Sequence, residues 1–210
     1  MPKIKIPRKS TNIDMTAMCD VAFLLLSFFI LATKTKPPEA IKVTTPSSVS
    51  NEIASDKAII ITMSPDGKVF LLFGDDSKKK QIFADINRQK SIGLSDQEVA
   101  KWASSSYVGL PFNQVKGALN MSPPITADQM SGIPIKDSLN NQLTDWVASI
   151  VRNYQGEKLT LLVKGDNNAK YPVFSNILDA LKKNDQNKFK LITNKGEIPV
   201  ESELYKSRGK

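Results

Sequence analysis

Apolar positions follow three different rhythms along this chain. Between Val21 and Ala32 only Ser27 interrupts an unbroken apolar run. Adding Met15 to Cys19 gives about 18 to 19 residues, enough at 1.5 Å per residue to cross a hydrocarbon core of about 30 Å. A membrane-spanning helix is predicted there. Further on, Ala58 to Met63 and Val69 to Phe73 are β-branched or apolar runs separated by Ser64-Pro65-Asp66-Gly67. The Pro and Gly supply the restricted and permissive backbone angles of a turn, so the pair reads as a β-hairpin. The third rhythm is helical: Leu143, Trp146, Val147, Ile150, Val151 and Tyr154 recur at intervals of three and four, and Gly156 is placed to close that helix with a left-handed cap. Leu159 to Val163 then reads as a buried strand, Pro172 opens a helix running to about Lys183, and Phe189 to Ile192 reads as a closing strand. The predicted class is α+β: one N-terminal transmembrane helix, a flexible linker, and a small domain whose mixed β-sheet packs against two main helices.

Two segments lack these rhythms. Residues 35–57, "TKPPEAIKVTTPSSVSNEIASDK", hold three prolines and few large apolar groups, too little to fold alone. At about 3.3 Å per residue they reach on the order of 75 Å when extended, which makes them a tether. Residues 75–140 form an insertion. Within it Ser95 is followed three positions later by Glu98, a capping box predicting a helix through Ala103, and Asn113 to Asn120 is a second helix candidate. "MSPPITADQMSGIPIKD" is loop-like, with Pro123, Pro124, Gly132 and Pro134. The expected domains are therefore 1–13, 14–34 in the membrane, the linker 35–57, a folded unit over 58–196, and a tail at 197–210.

Charge changes the picture at the N-terminus. The chain carries 29 Lys plus Arg against 21 Asp plus Glu, a net charge of +8. Lys3, Lys5, Arg8 and Lys9 all precede the apolar run, where cations mark a membrane flank, and the other lysines are scattered among acids. That distribution argues against nucleic-acid binding, which needs cations clustered against phosphates. Lys34 and Lys36 on the far side are followed by Glu39, so the positive-inside bias favours a cytoplasmic N-terminus. A cleaved signal peptide is the competing reading, with its apolar core from Val21 to Leu31 and small residues near Ala32.

Asp20 bears on that choice. A carboxylate near the middle of a span costs roughly 2.5 to 3.5 kcal/mol on insertion scales, and a disposable leader has no use for one. A proton carrier has. Thr16, Asp20, Phe23 or Leu24, and Ser27 share one helical face, which makes Thr16 and Ser27 candidate polar helpers. The alternative is that Asp20 is an ordinary interfacial residue near the headgroups. Cys19, the one cysteine, reads as a small apolar residue and forms no internal disulfide.

These residues also carry a family likeness. "NIDMTAMCDVAFLLLSFFILAT" resembles the N-terminal span of ExbD/TolR proteins, which typically read I-N-x-T-P-x-x-D before a Leu- and Phe-rich helix. Ile13, Asp14, Thr16 and Asp20 fall at the matching spacings, with Asp14 where Asn is usual and Ala17 where Pro is usual. "LTLLVKGDNNAKYPVFSNILDALKKNDQNKFKLITN" resembles the family's periplasmic pattern through Gly165, Asp166, Tyr171, Asp179 and Leu181, and "AIIITMSPDGKVFLL" resembles its earlier hairpin. The likeness covers about 10–74 and 140–195.

The resemblance implies an inner-membrane, single-pass subunit of a proton-driven motor, with Asp20 as proton carrier and the folded domain in the periplasm. It implies an ExbB/TolQ-like multi-span partner forming a ring around a homodimer of this chain, and a TonB-like protein carrying motion to the outer membrane. It also implies that the linker docks or pairs as a strand in one functional state. TolR-like and motility-stator roles stay open, as does a membrane-anchored periplasmic binding or structural protein with no proton role.

Enzyme chemistry is not indicated. There is no phosphate-binding Gly-Lys-Ser/Thr loop, no G-x-S-x-G elbow and no metal-ligand cluster, and with no histidine a Ser-His-Asp triad is impossible. "KGDNN" at Lys164 to Asn168 is too short for an EF-hand and reads as a polar turn. The extended peptidoglycan-binding signature of OmpA-like domains is absent. No cofactor or metal is expected.

Overall fold

The computed structural model describes residues 15–33, 41–48, 58–122, 125–136 and 141–195. The expected N-terminal segment 1–13 and tail 197–210 lie outside the described residues. The chain divides into two units, one up to Pro37 and one from Pro38 onward. The first holds a single helix, α1 (Met15–Ala32), of 18 residues. Its large apolar side chains, Phe23, Leu24, Phe28, Phe29 and Leu31 among them, are all exposed, as a helix solvated by lipid or by another protein requires.

In the second unit the predicted hairpin forms. Strands β2 (Ile59–Met63) and β3 (Val69–Phe73) pair antiparallel, with Ile59 opposite Phe73 and Met63 opposite Val69. The Ser64 N–H donates to the Lys68 carbonyl at 2.9 Å, and Gly67 takes φ +78°, the left-handed angle that a side chain would strain. Helix α5 (Gln142–Asn153) leads into β5 (Leu161–Gly165), which lies parallel to β2. Helix α6 (Tyr171–Lys182) then crosses to β6 (Lys190–Ile192), parallel to β5.

Helices make up a little under half of the insertion. It contributes α2 (Lys79–Lys90), α3 (Asp96–Ala103), β4 (Tyr107–Val108), α4 (Phe112–Leu119) and a 3-10 turn at Ala127–Gln129. Strand β4 extends the sheet beyond β3, giving the order β4-β3-β2-β5-β6. The predicted mixed sheet is therefore present with its two main helices, α5 and α6, and three insertion helices add to them.

One face of the sheet makes the core. Ile59, Ile61, Met63, Val69, Leu71, Phe73, Leu161 and Val163 point to it, and the helices answer with Ile82, Phe83, Trp146, Ile150, Ile177 and Leu181, all almost fully buried. The insertion is fused to this core by aromatic packing. The Phe83 and Trp102 rings lie 4.6 Å apart, Phe83 and Trp146 5.1 Å, and Trp102 and Trp146 5.4 Å, each edge-to-face. On the other face Phe70 is fully buried against Gly109, where a Cβ would come within 2.2 Å of the ring. Only glycine allows that approach.

Candidate functional site

Along α1, at about 100° per residue, Thr16, Asp20, Phe23 and Ser27 lie within a sector of about 60°. The sequence places no other carboxylate in this helix, and Asp20 is exposed on its surface, five residues or about 8 Å along the axis from Met15. Among the described residues the Asp20 carboxylate makes no hydrogen bond or ion pair. The Ser27 hydroxyl donates to the Leu24 carbonyl at 2.9 Å, so its proton is satisfied within the helix while its lone pairs still face outward. This helix alone does not enclose the carboxylate.

The second arrangement involves the tether. Residues 41–48, expected to lack structure of their own, lie against the folded unit, and Ser47–Ser48 form the short strand β1. The segment does not fold alone; it borrows its partners. Strand β1 pairs in parallel with β7 (Asn194–Lys195), Ser47 opposite Asn194. The Thr44 N–H donates to Asp166 Oδ2 at 2.8 Å, and the Asn167 N–H donates to the Thr44 carbonyl at 2.9 Å. Asn194 donates twice, from its backbone N–H to the Pro46 carbonyl at 2.9 Å and from Nδ2 to the Thr45 carbonyl at 3.1 Å. Thr45 is buried between these contacts.

Asp166 follows β5 in the "KGDNN" turn. Its Oδ1 accepts the Asn168 N–H at 2.8 Å, which folds the loop back, and the residue is only 8 % exposed. Among the residues that carry the family pattern, Asp166 is thus built into the tether's seat, whereas Tyr171 and Asp179 on α6 are exposed. Asp166 is marked in the sequence by the family pattern, but its partner Thr44, and Asn194 with its partner Thr45, are not: these contacts join side chains to backbone groups 122 and 149 positions away, which no local pattern records.

A family profile described as biopolymer transport protein ExbD/TolR matches residues 7–196. The chain belongs to the ExbD/TolR family. The match runs through both the apolar helix α1 and the insertion. Comparison with curated proteins and with solved structures gives no match. As an ExbD/TolR protein the chain is an energy-transducing subunit of biopolymer transport, from a family that works in membrane complexes with ExbB/TolQ-like and TonB/TolA-like partners. The described residues hold no group of three or more Cys, Asp and Glu arranged to bind a metal ion.

Proposed function

We propose that this chain is the single-span subunit of an inner-membrane motor driven by the proton-motive force, that it energises TonB-dependent transport across the outer membrane, and that Asp20 carries the protons. The observation supporting this is the placement of one carboxylate on an otherwise apolar helix of membrane-spanning length, in line with Thr16 and Ser27. Burial in an apolar wall disfavours the charged form, whereas polar groups from a neighbouring helix favour it. As the surrounding helices turn, alternation between the two environments loads and unloads a proton. One charge crossing 100 mV yields about 2.3 kcal/mol, so several protons are needed for each large mechanical step.

In this reading the N-terminus is cytoplasmic, the domain from Ala58 onward is periplasmic, and residues 35–57 carry force between α1 and that domain. An ExbB/TolQ-like multi-span protein forms the ring that encloses Asp20, with two copies of this chain inside it. A TonB-like protein receives the motion. The exposed apolar surface of α1 and its unenclosed carboxylate are what such a ring would cover.

The experiment is purification of the full chain in mild detergent from its native membranes, with identification of whatever comes with it. A ring-forming multi-span protein of the ExbB/TolQ type is expected. A strictly monomeric chain with no membrane partner would overturn the assembly.

A further inference from the structure

Asp166 uses its two carboxylate oxygens on two segments far apart in the chain. Oδ1 accepts the Asn168 N–H within its own loop, and Oδ2 accepts the Thr44 N–H of the tether. The first bond shapes the turn that presents the Asn167 N–H to the Thr44 carbonyl, so one side chain makes one tether bond directly and aims the donor of a second. Asn194 brackets the next residues from the other side through its backbone and side-chain amides.

Strand pairing alone is a poor account of why the segment stays. The β1–β7 ladder is two residues long, and Pro46 just before it has no N–H to extend it. The Asp166 carboxylate bonds the tether and its own loop, outside the ladders of the five-stranded sheet. We propose that Asp166 is the positioning residue that seats residues 41–48 on the folded domain, with Asn194 completing the seat, and that this attachment is separable from the fold of the sheet. The inference rests on the reading of residues 35–57 as a tether, but it concerns only what holds that tether in place.

Asp166→Asn tests it. An amide supplies one acceptor oxygen and one NH2 group, so whichever way it turns, a donor faces either the Thr44 or the Asn168 N–H. Hydrogen–deuterium exchange is followed on the full chain in detergent, in the unaltered protein, in Asp166→Asn and in Asn194→Ala. Exchange over residues 41–48 is expected to accelerate roughly tenfold or more in Asp166→Asn, and to accelerate also in Asn194→Ala, while β2 and β5 keep their protection. Unchanged exchange over 41–48 in Asp166→Asn would overturn the proposal. Loss of protection spreading equally to β2 and β5 would overturn it too, by showing Asp166 to be a fold residue. Neither readout depends on proton flux, so failure here is distinct from failure of the motor reading.

Discussion

Asp85 of α2 and Ser149 of α5 are joined by a hydrogen bond of 2.7 Å from the serine hydroxyl to the carboxylate, across 64 positions of sequence. Arg152, one turn further along α5, donates to the same oxygen at 3.0 Å, and Gln89 donates at 2.8 Å. The insertion and the sheet-covering helix are thus held together by a polar contact as well as by the aromatic cluster.

That contact predicts a pH dependence. Burial raises the Asp85 pKa, but hydrogen bonds from Ser149, Arg152 and Gln89, together with the guanidinium charge, outweigh it and leave the carboxyl below its ordinary value. A pKa depressed in the folded state means stability that is present above the unfolded value of about 3.9 and is lost as pH falls through the folded value. Asp85→Asn is expected to cost about 1–2 kcal/mol at neutral pH. Measured by denaturant unfolding, the gap between variant and unaltered protein should narrow below about pH 4. A gap independent of pH would contradict the assignment.

Trp146 offers a second test. It is fully buried, touches Phe73, Phe83, Trp102 and Phe112, and its indole N–H finds no hydrogen-bond partner among the described residues. Trp146→Ala is expected to cost about 3–5 kcal/mol by opening a cavity. Trp146→Phe should cost clearly less, because it keeps a large ring in the site and removes a buried donor that no described residue satisfies. Leu191→Ala on β6, where the leucine is 56 % exposed, should stay within about 0.5 kcal/mol in the same unfolding assay. Equal losses in the two Trp146 variants would refute this account of the core.

The hairpin, α5 and α6 were legible from their strong local periods, although α5 ends at Asn153 with Tyr154 as its cap, and Gly156 takes its left-handed angle in the turn beyond instead of closing the helix. The capping box of Ser95 and Glu98 forms as the sequence predicts, and α4 begins one residue before its expected start. Helix α2 was not legible. Its sequence "KKQIFADINRQK" has only Ile82, Phe83, Ala84 and Ile86 as apolar residues, and its stability comes from packing against α5 and α3, not from its own pattern. The face of Asp20 was readable from helical spacing alone. The seat of the tether was not, since it depends on which distant backbone groups the fold brings together.

The tether supplies a third prediction. Four hydrogen bonds seat residues 44–46, and at about 0.5–1.5 kcal/mol each they sum to about 2–6 kcal/mol. On the motor reading, one charge at 100 mV supplies about 2.3 kcal/mol, so breaking these four bonds would take on the order of one to three protons. Freed residues reach further, at about 3.3 Å each. Shortening Pro37–Ser50 by about half should leave the sheet and its helices folded by circular dichroism while reducing proton-driven transport. Unchanged transport would count against any role for tether length.

Asp20→Asn separates a proton carrier from an ordinary interfacial carboxylate. Asparagine keeps nearly the same volume and hydrogen-bonding capacity but does not ionise, so the variant should insert, fold and assemble normally. Asp20→Glu keeps an ionisable group displaced by one methylene, and a severe loss with residual activity is expected. Asp14→Asn, which restores the residue the family usually has there, should be nearly silent. The measurement is proton flux across membranes containing equal amounts of each assembled variant. Flux abolished in Asp20→Asn and retained in Asp14→Asn is the predicted result; full flux in Asp20→Asn would contradict the carrier role and leave Asp20 an interfacial residue.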